Sequence, residues 1–116
     1  MALVLVIDDS EYIRELFRTY FEKENFVVYD AANGIEALEI CKAFPIDVAI
    51  CDLVMPEMDG IELIVELNKK FPQIRLISIS SNKIDMLERT KELGAEYFFK
   101  KPVDPAMLIS CVKGLL

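Results

Sequence analysis

Two adjacent carboxylates, Asp8 and Asp9, follow the apolar run LVLVI; a third, Asp52, follows DVAIC; and Lys101, with Pro102 after it, follows EYFFK. Each run has the length and composition of a strand, and in a parallel sheet the carboxyl ends of the strands share one edge. Three carboxylates and one ammonium would therefore converge on one small site. Carboxylates a few ångströms apart repel strongly, so such a cluster is tolerable only where a divalent cation, a proton or a lysine offsets the charge. An all-oxygen donor set suits Mg²⁺ better than a soft metal.

The rest of the chain must supply the elements that bring these ends together. Leu3 to Ile7 predicts a first strand, and Ile13, Leu16, Phe17, Tyr20 and Phe21 recur at helical spacing after it. Phe26 to Tyr29 predicts a second strand. Asn33 with Glu36 three residues on is a capping pair that opens a helix through Ala37, Leu38 and Cys41, closed near Pro45. Val48 to Cys51 is the third strand. After a loop from Pro56 to Gly60, Asp59 caps a helix with Glu62 at its third position and Ile61, Ile64 and Val65 inward, ended by Pro72. Ile74 to Ile79 predicts a fourth strand, and Ile84, Leu87 and Leu93 a fourth helix ending near Gly94. Tyr97 to Phe99 is a short fifth strand, and Asp104 with Pro105 provides the cap and first position of a last helix. Strands separated by helices cannot pair as hairpins, so the pattern predicts an α/β domain whose five-stranded parallel sheet carries helices on both faces.

Composition narrows the function. The 116 residues predict a single domain, and an apolar fraction of 53% predicts a packed core. A net charge of −7, without a run of like charges, disfavours direct contact with nucleic acid or an anionic membrane. The chain starts strand-like at Leu3 with no charged leader, and no apolar stretch reaches the roughly 18 residues of a spanning helix, which predicts a soluble, cytoplasmic protein. Cys41, Cys51 and Cys111 are odd in number and far apart, as reduced buried thiols are. The absence of histidine excludes a Ser-His-Asp triad and a His general base.

The segments IDDS (7–10), DLVMPEMDG (52–60), ISISS (77–81) and KP (101–102) resemble, in order and spacing, the receiver domain of two-component response regulators, and the resemblance covers essentially the whole of 1–116. It implies a flavodoxin-like (βα)5 fold with strand order 2-1-3-4-5. It also implies that Asp52 accepts a phosphoryl group from a sensor histidine kinase or a histidine phosphotransfer protein, carboxylates being competent nucleophiles toward phosphorus. By the same resemblance Asp9 and Asp52 ligate Mg²⁺ directly with the backbone carbonyl of Val54, Asp8 acts mainly through water, and Lys101 meets the phosphoryl oxygens after first pairing with Asp52. Ser80 is the hydroxyl that swings to the phosphoryl group, Ser81 the small residue after it, and Phe98 the aromatic that moves inward.

Plainer readings stand beside these. Asp52 also fits the end of a strand, Asp8 and Asp9 with Ser10 fit a cap of the first helix, Phe98 fits plain core, and Lys100 fits a solvated side chain pointing away from the site. Four positions depart from the commoner pattern: Ser80 for Thr, Phe98 for Tyr, Val103 for Phe, and Val54, which with Asn82 stands where such domains tune access of water. An apolar Val54 side chain cannot orient an attacking water, so self-dephosphorylation is expected to be slow.

The function implied is a phosphorylation switch. The surface from Lys83 to Lys113, built from the fourth helix, fifth strand and fifth helix, would then control an effector or output domain and offer a homodimer contact. Such a domain acts only on its own phosphorylation and dephosphorylation, and it exists either alone or within a longer protein. The alternative is a receiver-like interaction module that is not phosphorylated. A phosphate-transferring hydrolase lacks its second acid at Val54, and a flavin carrier would need a glycine- and hydroxyl-rich phosphate loop where DDSEY stands.

Overall fold

The computed structural model of this chain describes residues 1–55, 59–81 and 84–116, and of these the side chains of all but 84–87. Pro56, Asn82, Lys83 and the side chains of Ile84 and Leu87 therefore lie outside what is described. Strands and helices alternate as β1 (Leu3–Ile7), α1 (Glu11–Lys23), β2 (Val27–Ala31), α2 (Gly34–Ala43), β3 (Val48–Asp52), α3 (Gly60–Lys70), β4 (Arg75–Ser80), α4 (Ile84–Glu92), β5 (Ala95–Lys100) and α5 (Pro105–Leu115). The strands pair in parallel in the order β2-β1-β3-β4-β5, the flavodoxin-like arrangement. In that order the sheet edge beyond β1 and β3 is the crevice where such folds bind their ligands.

Burial on both faces explains why the strands are so uniformly apolar. Leu5, Ile7, Ala49, Cys51 and Leu76 point to one face, against Ala37 and Cys41 of α2 and Leu63, Ile64 and Leu67 of α3. Val4, Val6, Val48, Ile50, Ile77 and Ile79 point to the other, against Phe17 and Phe21 of α1 and Leu108, Ile109 and Val112 of α5. The caps lie where Ser, Asn and Asp stand: Ser10, Asn33, Asp59 and Asp104 accept from the backbone N–H of Ile13, Glu36, Ile61 and Ala106. Glu36 reaches back to the Ala32 N–H at 3.0 Å, one residue earlier than a reciprocal capping pair requires.

Several expectations need correction. Val65 and Tyr20 were placed on inner helix faces but are exposed, because each sits just off the stripe that its helix buries. Phe26 does not open β2: its N–H returns to the Phe21 carbonyl at 3.2 Å and its ring meets Phe21 edge-on, so it closes α1. β5 is longer than the apolar run suggests, since pairing from Leu76↔Ala95 to Ser80↔Lys100 needs only backbone groups. Among the free cysteines Cys41 and Cys51 are buried, whereas Cys111 is only half-buried.

A polar contact between described residues joins β4 to α4. The hydroxyls of Ser78 in β4 and Thr90 in α4, both fully buried, lie 2.6 Å apart. A buried hydroxyl that loses its partner costs on the order of 1–3 kcal/mol, whereas removing both partners is close to neutral. We therefore expect Thr90→Val to lower stability by about that amount, as measured by urea unfolding.

Candidate acidic phosphoacceptor site

β1 ends at Ile7, so Asp8 emerges directly from a buried strand, and its side chain is itself buried. Asp52 is the last residue of β3 and is also buried, while Asp9 is exposed. A carboxylate oxygen from each of the three lies within 4.8 Å of the others. Lys101 follows β5 directly, after a backbone bond from its N–H to the Ser80 carbonyl at 2.9 Å, and precedes a cis bond to Pro102. Its ammonium donates to Asp8 Oδ2 at 2.9 Å and to Asp52 Oδ2 at 3.3 Å. The expected partner Asp52 is joined by a nearer one, Asp8.

The remaining oxygens are tethered by the backbone. Asp8 Oδ1 accepts from the Ser10 N–H at 2.9 Å, and Asp52 Oδ1 accepts from the Val54 N–H at 3.2 Å. The loop after Asp52 is held on both sides, by Leu53 N–H to the Ile79 carbonyl at 2.9 Å and Gly60 N–H to the Leu53 carbonyl at 3.1 Å. Gly60 has no alternative there: a Cβ would stand 2.4 Å from Leu53 Cα and 2.6 Å from the Asp52 carbonyl oxygen.

Burial pushes the Asp52 carboxyl above its ordinary pKa, and the Asp8 charge adds to this, against the opposing pull of Lys101 and the Val54 N–H. Burial acts in the other direction on Lys101, but its bond to Asp8 and the charges of Asp52 and Asp8 outweigh that and hold the ammonium above its ordinary value. The neighbouring Cys51 thiol is pushed well up by burial and by the surrounding acids, so it stays protonated and plays no nucleophilic part.

The donor set fits Mg²⁺. It is all oxygen, its spread of 4.8 Å is close to the roughly 4 Å span of an octahedral shell with Mg–O distances near 2.1 Å, and Asp9 leaves the outer side open to water. One lysine shared by two buried carboxylates leaves net negative charge for a cation to offset.

Ser80 is fully buried at the end of β4, paired in register with Lys100 and bonded through its carbonyl to Lys101. Lys100 is exposed. Phe98 lies in register with Ser78, half-buried against the α2–α3 side of the core, with the Lys91 ammonium 5.9 Å from its ring centre, so it is neither deep core nor part of the acid cluster. Val54 is exposed. Sequence reasoning missed Arg14, which donates to the Asp8 carbonyl at 2.7 Å. Its position six residues after Asp8 was visible, but the tertiary partner that steadies it was not.

Because the folded state raises the Asp52 pKa, the folded chain takes up that proton at a higher pH than the unfolded chain. Charged Asp52 thus destabilises the metal-free fold near pH 7, and the cost fades as pH falls through the raised value. We expect Asp52→Asn to melt above the parent at pH 7 in a chelator, with the gap closing as the solution is acidified; thermal unfolding by circular dichroism checks both.

The family described as "Response regulator receiver domain" matches residues 4–113. "Sporulation initiation phosphotransferase F" of Bacillus subtilis is 36% identical over 114 residues, spanning 97% of this chain and 92% of that protein. "Transcriptional regulatory protein SrrA" of Staphylococcus aureus is 34% identical over 97% of this chain, which spans only 47% of SrrA. The solved structure of response regulator TrrA from Thermotoga maritima, described as a complex with Mg(2+)-BeF, superposes with a TM-score of 0.90 at 29% identity over 100% of both chains. With its fold, its strand-end acids and its lysine in that setting, the chain belongs to the response regulator receiver domain family.

Proposed function

We propose that this receiver domain is a phosphorylation-dependent switch of a two-component system, with Asp52 as the phosphoacceptor. The observation that carries the reading is the Lys101 ammonium seated between the buried Asp8 and Asp52 carboxylates. An Asp52 oxygen attacks the phosphorus of a phosphohistidine on a sensor kinase or phosphotransfer protein; the P–N bond breaks, the imidazole leaves with its electron pair, and an acyl phosphate forms. Lys101, already 3.3 Å from Asp52, then donates to the phosphoryl oxygens. Asp9, Asp52 and the Val54 carbonyl would hold Mg²⁺ directly and Asp8 through water. Held there, the ion would supply positive charge to offset that of the carboxylates and the incoming phosphoryl group.

An open apolar hollow of about 430 Å³ beside Lys101, walled by Tyr12, Ile13, Leu16, Phe17, Pro102 and Val103, supports a protein rather than a metabolite as donor. In this reading Ser80 turns its hydroxyl to the phosphoryl group, Phe98 follows inward, and the α4–β5–α5 surface from 83 to 113 changes its fit for an effector, an output domain or a second copy. SrrA, twice this length and named a transcriptional regulator, supports an attached output, while the sporulation protein of similar length supports a domain acting alone. No described helix is long and apolar enough to cross a membrane, and the net charge of −7 speaks against direct nucleic-acid binding, both in keeping with a cytoplasmic signalling role. Chemistry on any substrate other than its own aspartyl phosphate is not part of the proposal.

Intact mass after incubation with acetyl phosphate tests this. We expect one phosphate adduct that requires Mg²⁺, disappears in Asp52→Asn, decays slowly in the parent and decays faster in Val54→Asn, whose amide can orient a water. Absence of an adduct from a chain that still binds Mg²⁺ would favour the unphosphorylated interaction module.

A further inference from the structure

The peptide group between Asp8 and Asp9 joins two of the three clustered acids, and its orientation sets the directions in which both carboxylates leave the backbone. That peptide's oxygen, the Asp8 carbonyl, accepts a 2.7 Å hydrogen bond from Arg14 Nη1. Arg14 is steadied in turn: its Nε lies 4.0 Å from Asp30 Oδ2 in β2, an oxygen also held by Arg18 Nη2 at 3.1 Å, and Arg18 Nη1 is anchored on the Val28 carbonyl at 2.9 Å. The Arg14 side chain is largely buried, at 17% exposure, so solvent competes little with these contacts.

We infer that Arg14 is a positioning residue for the metal-binding acids: steadied by Asp30, its guanidinium fixes the Asp8–Asp9 peptide and thereby aims both carboxylates. The inference rests on the Mg²⁺-dependent reading of the site proposed above. A planar fork can engage a carbonyl and a carboxylate at once, which a lysine ammonium on a flexible stem does far less well. Partners of this kind behind metal ligands typically change metal affinity by about 10- to 100-fold when removed. A merely structural Arg14, tying α1 to β2, would change stability and leave the intrinsic affinity alone.

The test is Mg²⁺ affinity of the metal-free chain, read from amide chemical shifts during titration. We expect Arg14→Ala to weaken binding about tenfold or more, Arg14→Lys to recover less than half of that on a logarithmic scale, and Lys23→Ala, which removes a positive charge from the far end of the same helix, to match the parent. Parent-like affinity in Arg14→Ala would overturn the inference. Full recovery in Arg14→Lys would overturn it as well, by showing that charge alone suffices. A parent that binds Mg²⁺ but takes no phosphate from acetyl phosphate would refute the switch and leave the Arg14 outcome readable; a parent that binds no Mg²⁺ would refute both.

Discussion

The structure depends on one electrostatic compromise, a single ammonium shared by two buried carboxylates. Lys101 reaches Asp8 across 93 positions of sequence and Asp52 across 49, so its two bonds close the sheet edge between β1, β3 and β5. Taking charges out of water costs several kcal/mol per ion, and one cation cannot neutralise two anions with a third beside them. Burial, reinforced by the Asp8 charge, is the reason Asp52 holds its proton more tightly than a free carboxylate does. In the proposed function, a site left unbalanced in this way would trade stability for affinity toward a divalent cation and for reactivity toward phosphorus.

The fold keeps that imbalance from relaxing. All five of its strands run parallel and end at the same edge, the sheet locked by apolar packing on both faces. The Asp52 loop is pinned by Ile79 and Gly60, the Asp8 turn by Ser10 and Arg14, and Lys101 by the Ser80 carbonyl. In the proposed switch the same restraints would supply a route outward. β4 carries both Ser80, at the site, and Ser78, whose hydroxyl meets Thr90 of α4, while β5 carries Phe98 opposite Ser78. In the proposed switch a change at Lys101 reaches α4 and β5 by way of β4.

Much of this was legible in the sequence, for physical reasons that can be named. A parallel sheet buried on both faces writes continuous apolar runs, so LVLVI and DVAIC marked strands, and the acids that follow them had to meet at one edge. Ser10, Asn33, Asp59 and Asp104 act locally, within three residues, and were readable as caps. What escaped depended on tertiary partners. Phe26 looked like strand until Phe21 claimed it, Ala95 lay outside the expected Tyr97 to Phe99 strand until β4 paired with it, and Arg14 carried no signal until Asp30 arrived from the neighbouring strand. Val65 and Tyr20 lay too near the stripe boundary for periodicity to separate inside from outside.

The proposed switch couples charge at the acid cluster to α4 and β5. The most direct measurement is the amide shift map of the isotopically labelled chain before and after addition of Mg²⁺ with beryllofluoride, a stand-in for the phosphoryl group. We expect changes at Asp8, Asp52 and Lys101 that extend along β4 to Thr90 and Phe98. Changes confined to the acid cluster, with Thr90 and Phe98 unmoved, would contradict it.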